Sequence, residues 1–261
     1  MKNYVIKTFY KFVLLPNYLL MKPLLLQMMK QYNVKGTIIL APEGINGSFC
    51  GEMQQTTDFA DFLQQIPFFY DLQFHTTYDD LNPFDKYKVK FRQEIVSLGV
   101  SEINYLPEVA TKTSVSPAAW NKLCNTEEVT LLDNRNEYEV KLGTFKGAIN
   151  PHTINFRDFR QYIEKNLIHK KNNQIALFCT GGIRCEKTIT YLHYLGFSNL
   201  YQLQGGILNY LTCANQLDSL WEGSCFVFDN RVALDKNLIP LSKELIDQEW
   251  KNNNRKKLHH D

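Results

Sequence analysis

The segment that most restricts the fold is ALFCTGGIRCEKT, residues 176–188. It starts inside the apolar run QIALFC (174–179), passes Gly181, Gly182 and Arg184, and continues with helical periodicity over 185–195. A short, uninterrupted apolar run of this kind suits a strand buried on both faces, as in parallel sheets covered by helices on either side. In such sheets ligands bind beyond the carboxyl ends of the strands, which is where Cys179 falls.

The flanking sequence repeats the alternation. Helix 117–124, strand VTLLD (129–133), a short GAIN strand (147–150), helix 155–166, strand 174–179, helix 185–195, strand NLYQL (199–203) and helix 206–215 describe a doubly wound parallel sheet. The N-terminal third reads differently. Strand-like YVIKTFYKFVLL (4–15) precedes a helix from about Asn17 to Tyr32, expected to break or start near Pro23. Two β-like runs in VKGTIILAPEGINGSFCG then flank a turn placed at Gly44, Asn46 and Gly47, and after a helix over 53–65 come YDLQFHTTYDD and KYKVKFRQEIVSL. This order predicts a small α+β domain of ferredoxin-like (acylphosphatase-like) type. The division expected is 1–98 for that domain, 99–116 for a linker without sustained period, 117–217 for the parallel-sheet domain and 218–261 for a C-terminal extension.

The chemistry of the loop follows from its parts. Adjacent glycines allow a tight turn and close approach of a ligand, the helix N-terminus adds positive potential, and Arg184 adds a full charge. Together Thr180, Gly181, Gly182, Ile183, Arg184 and Cys185 form an anion cradle around Cys179, and its thiol should ionise well below the usual value of about 8.5. Cys-type phosphatases place five residues between cysteine and arginine, whereas four stand here. The shorter loop resembles the rhodanese active site. DNRNEYEVKLGTFKGAIN (133–150) and YQLQGGILNY (201–210) resemble the segments on either side of it in that family.

The resemblance narrows when EGINGSFCG, KVKFRQEIVSLG, CTGGIRCEK and FVFDNRVAL are taken together, for they occur in the order found in the tRNA uridine hydroxylases. These are rhodanese-domain proteins that form 5-hydroxyuridine at the wobble position. The resemblance covers 4 to about 235 and implies a rhodanese-like doubly wound domain behind the smaller α+β domain. It further implies a tRNA anticodon loop as partner, molecular oxygen as co-substrate, no organic cofactor and a required cysteine at Cys179. Arg184 is assigned with it to the catalytic pair. The alternative enzyme is a rhodanese-type sulfurtransferase or persulfide carrier using the same sulfur; a third reading is a non-catalytic module whose loop binds an anion. Many relatives continue into a tail with paired cysteines, and none follows FVFDNRVAL here, so no metal site is expected, with His259 and His260 as ordinary terminal residues.

In a strand, KYKVKFR sets Lys86, Lys88, Lys90 and Arg92 on one face and Tyr87, Val89 and Phe91 on the other. Four cations in a row could track phosphates, and the same pattern describes an ordinary solvated face. Net charge is only +2, so an RNA would have to meet a local patch. The tail cations Lys251, Arg255, Lys256 and Lys257 read as solvated charge. Asp133 and Arg135 suit a structural ion pair better than catalysis. Cys185 could resolve an oxidised Cys179 or simply pack, and Cys50, Cys124, Cys213 and Cys225 read as core or incidental. Six irregularly spaced cysteines in 261 residues do not make a disulfide framework. Lys11, Pro16, Lys22 and Pro23 interrupt the apolar N-terminus well short of the ~18 residues of a membrane span. A cytoplasmic protein is expected.

Overall fold

The computed structural model describes residues 3–100, 103–213 and 218–247; the tail cations and histidines named above lie outside them. The chain divides into two compact units, Met1–Ser97 and Leu98–Asp261.

The first unit runs β1 (Tyr4–Phe12), α1 (Tyr18–Gln31), β2 (Lys35–Ala41), β3 (Gly44–Gly51), α2 (Met53–Gln65), β4 (Phe74–Asp79) and β5 (Tyr87–Phe91). Its sheet order is β4-β1-β3-β2-β5, antiparallel throughout except where β5 lies parallel to β2. The first four strands make the expected ferredoxin-like arrangement, and β5 extends it at one edge. Period-two alternation sends Phe9, Ile38, Phe49 and Val89 into one core with Leu25 and Met29 of α1 and Phe59 and Leu63 of α2. Two local expectations change. Pro23 sits inside an unbroken α1, where buried Leu25 and Met29 tie the helix to the sheet and outweigh the hydrogen bond that proline omits. Asn46 and Gly47 belong to β3 rather than to a turn: Asn46 Nδ2 donates to the Ile95 carbonyl, and a Cβ on Gly47 would stand 2.7 Å from the Thr37 carbonyl oxygen.

The second unit contains α3 (Pro107–Thr113), β6 (Ser114–Val115), α4 (Pro117–Cys124), β7 (Val129–Asp133), α5 (Glu137–Val140), β8 (Gly143–Phe145), α6 (Asp158–Asn166), β9 (Gln174–Phe178), α7 (Ile183–Tyr194), β10 (Leu200–Leu203), α8 (Gly206–Thr212), β11 (Trp221–Gly223), β12 (Cys225–Phe226) and β13 (Ala233–Leu234). The central sheet β6-β10-β9-β7 is wholly parallel. Ala176 and Phe178 of β9 enter a core with Trp120 of α4 and Ile207 and Tyr210 of α8, while Ile175 and Leu177 are buried on the opposite face.

The segment expected as a linker is largely structured. Its α3 and β6 belong to this unit, and β6 pairs with β10 through Ser114↔Gln202 and Val115↔Leu203. A seven-residue helix and a two-residue strand are too short to show a period in sequence. The expected extension is not an appendage either. Here β11 pairs with β8, and Trp221, Cys225, Val227 and Leu234 join the core around Phe145 and Phe178. The expected GAIN strand is reduced to a single bridge, Ile149 to Leu132.

Candidate active site

Cys179 follows the last residue of β9 and is fully buried. The chain then turns through Gly182, whose φ of +100° is open to glycine, and enters α7 at Ile183. The Gly182 N–H donates to Cys179 Sγ at 3.2 Å. A second element holds the loop from behind. At the start of α8 the N–H groups of Ile207 and Leu208 donate to the carbonyls of Cys179 and Thr180 at 2.9 and 3.0 Å. This approach needs Gly206, where a Cβ would stand 2.5 Å from the Cys179 carbonyl oxygen. At Gly181 a Cβ would meet nothing within 4 Å, leaving the loop open on that side.

Burial by itself raises the Cys179 pKa, and four effects outweigh it: a hydrogen bond from the Cys185 thiol, the charge of Arg184, and the N–H groups of Cys185 and Gly182. The pKa falls to about 6, so the sulfur is a thiolate at neutral pH. Cys185 moves the opposite way. Burial and the neighbouring Cys179 raise its pKa, so it stays protonated and supplies the donor. The Asn134 amide, fixed by its bond to Thr188 Oγ1 at 2.9 Å, lies 4.0 Å from the Cys185 sulfur. Cys185→Ala removes the thiol donor and is expected to raise the apparent pKa of Cys179, read as a rightward shift of the iodoacetamide rate against pH with peptide mapping. An unshifted profile would assign the depression to Arg184 and the backbone alone.

Arg184 occupies a different place from the one expected of a group facing the reacting centre. Both terminal nitrogens bind Glu139, at 2.6 and 2.7 Å, and one also donates to Thr180 Oγ1 at 3.3 Å. The pair is buried, with side-chain exposures of 7% and 0%. Arg184 therefore acts on the sulfur through its field and by fixing the loop, and Thr180 likewise turns toward Glu139, to which its hydroxyl donates. The cradle facing Cys179 is thus built by the N–H groups of Gly182 and Cys185 together with the Cys185 thiol; Ile183 is half-buried beside it.

Glu139 is the residue that sequence reasoning missed. Its carboxylate also accepts from the Asn136 N–H at 3.1 Å, and the Asn-x-x-Glu spacing of NEYE is the available signal, that of a capping box opening α5. Arg135 is completely buried in a two-point bond to Asp133 and also donates to the Gly143 carbonyl, the structural role expected. Lys86, Lys88, Lys90 and Arg92, in the first unit, are all exposed on or beside β5, with Val89 buried and Tyr87 and Phe91 packed on the core. No group of three or more His, Cys, Asp and Glu side chains fit to hold a metal occurs among the described residues.

Two family models match the chain: the UPF0176 acylphosphatase like domain over residues 4–95 and the rhodanese-like domain over 116–213. The tRNA uridine(34) hydroxylases of Legionella pneumophila strains Corby and Paris are each 51% identical over 238 residues, 91% of this chain and 93% of theirs. Among solved structures, a rhodanese-related protein from Thermoplasma volcanium aligns over 38% of this chain and 90% of its own at 26% identity and a TM-score of 0.32. An acylphosphatase from Coxiella burnetii aligns over 34% and 95% at 10% identity and 0.26.

Proposed function

Because the chain belongs to the family of the tRNA uridine(34) hydroxylases, we propose that it hydroxylates C5 of the wobble uridine of tRNA, forming 5-hydroxyuridine, with Cys179 as the reacting group. The observation that carries the chemistry is a buried thiolate held by N–H donors at the end of a parallel strand. C5 of uracil is not electrophilic, so oxygen insertion requires prior activation. Addition of the Cys179 thiolate to C6 forms a C–S bond and moves the ring π pair toward C5, giving an enolate. C5 then attacks an oxygen electrophile. Loss of the C5 proton and departure of the thiolate restore the C5–C6 double bond and free the enzyme.

Molecular oxygen is the co-substrate we assign. One atom enters the base and the other leaves as water once a reductant has supplied two electrons and two protons. Delivery of oxygen from an oxidised Cys179 sulfur is the second route; there the Cys185 thiol, hydrogen-bonded to that sulfur, would compete with delivery, because its attack on a sulfenic acid closes a Cys179–Cys185 disulfide and releases the oxygen as water. A tRNA partner and six cysteines outside any disulfide fit a cytoplasmic enzyme. No helix among the described residues is long and apolar enough to cross a membrane.

Mass analysis of tRNA nucleosides from cells with and without the gene tests the reaction. Loss of 5-hydroxyuridine is expected; loss of a thiolated nucleoside instead would favour sulfur transfer. For RNA contact we assign the cationic stripe of β5. Replacing Lys86, Lys88 and Lys90 with alanine is expected to weaken tRNA binding and lower the log–log salt slope by about two units, each lost phosphate contact removing somewhat under one released counterion. Their exposure means that the core under Val89 stays filled. An unchanged slope would leave these lysines as guards of an edge strand against mispairing.

A further inference from the structure

We propose that Phe228 is a base-stacking platform that receives a nucleobase of the anticodon loop beside the Cys179 cradle, an inference that rests on the tRNA reading above. The ring is 65% exposed, unusual for phenylalanine, and the position of its neighbours ties it to the site. The guanidinium carbon of Arg184 lies 5.7 Å from the ring centroid, within cation–π range. Arg184 is also the charge that helps to ionise Cys179. Phe228 therefore flanks the residue that flanks the thiolate.

The mounting is rigid. Phe228 opens the tip of the hairpin between β12 and β13, closed by the Val227 N–H donating to the Val232 carbonyl at 2.8 Å. Inside the tip Arg231 makes a two-point bond to Asp229, both side chains 5% exposed. Val232 takes φ +63°, a left-handed conformation that a β-branched residue adopts only when its surroundings impose it, and such strain concentrates at ligand sites. On the inner side Phe226 meets Phe228 edge-on at 5.1 Å and is braced in turn by Tyr138 at 5.1 Å. Its contacts with Phe226 and Arg184 fix the Phe228 ring while leaving most of its surface to solvent rather than in the core. An apolar π surface held against the arginine whose charge acts on the reactive sulfur suits a flat, unstacked base, and enzymes that act on bases read them by such stacking.

The test uses the full chain and a synthetic anticodon stem–loop RNA with uridine at the wobble position. Phe228→Ala is expected to lower kcat/KM by about 5- to 150-fold, the range for loss of one stacked base, while Phe228→Trp stays within about threefold of the parent. A merely structural ring would also move the pH profile of Cys179 alkylation, which stacking leaves in place. In parallel, a stem–loop with fluorescent pyrrolocytosine at the wobble position should be quenched on binding to the parent and to Phe228→Trp, and far less by Phe228→Ala at saturating protein. Equal quenching and equal kcat/KM in Phe228→Ala would overturn the platform. Quenching that depends on Phe228 without any 5-hydroxyuridine would support the platform and instead count against the hydroxylase reading.

Discussion

Cys179→Ser is expected to lower 5-hydroxyuridine formation by roughly 10³-fold or more, the range seen when a catalytic nucleophile is removed. A serine oxygen occupies nearly the same space and can still accept the Gly182 N–H, so the loop keeps its shape. What is lost is the anion. The cradle depresses the thiol to about 6, whereas a hydroxyl starts so much higher that the same field cannot ionise it near neutral pH. Nucleoside mass analysis of tRNA modified by the purified variant reads the loss, and an unchanged thermal midpoint shows that folding is not the cause. Near-normal product would remove Cys179 from the chemistry under either oxygen route. In the parent, iodoacetamide should find Cys179 first among the six cysteines as pH rises through about 6.

The second large effect lies in stability. Glu139→Ala leaves the buried Arg184 guanidinium without its carboxylate, and breaking a buried pair from one side costs about 3–5 kcal/mol. Against a typical net stability of about 5–15 kcal/mol this is a large share, measurable as a lower urea midpoint. The sign at the sulfur separates this role from a catalytic one. With its counter-ion gone, Arg184 would exert a stronger positive field, so in the fraction that stays folded the Cys179 pKa should fall. A rise would mean that the loop had come apart. The pH dependence follows from the same contact: burial alone would raise the Glu139 pKa, and Arg184 outweighs it and holds the pKa below the ordinary carboxylate value. The stability that Glu139 contributes is therefore complete above the unfolded value of about 4.3 and is lost as pH falls through the lower folded value. Glu139→Gln should weaken this acid limb while disturbing packing less than alanine does.

The strand, cysteine and glycine pair could be read from sequence because the whole unit is local: its backbone donors come from residues 182–185, and its apolar run is continuous. Glu139 could not be read so. It reaches Arg184 across 45 positions of chain from a four-residue helix, and a single glutamate in NEYE looks like any helix cap. Gly206 was visible only within YQLQGGILNY as a segment of resemblance, with nothing to name the carbonyls that it approaches. Arg184 and Phe228 show the limit from the other side. The arginine was legible as a charge beside sulfur, but not as a charge already bound on both terminal nitrogens. A ring in FVFDNRVAL gives no sign of whether it points into the core or out of it.

The late return of the chain to the core of the second unit bears on how the protein is made. The first unit is complete in sequence by Ser97 and can fold while the rest is still being translated. The second cannot close when its parallel sheet has been synthesised, because Trp221, Cys225, Val227 and Leu234 supply part of the packing around Phe145 and Phe178. The 56 residues from Cys179 through Leu234 take about 3–11 s to emerge at about 5–20 residues per second. For that interval a nascent strand ending in an ionisable sulfur waits on the ribosome beside an unfilled apolar face. A polysome carrying this message would thus hold partly built second units near their most adhesive state, and slowing translation between those codons should increase capture by chaperones that recognise exposed apolar chain.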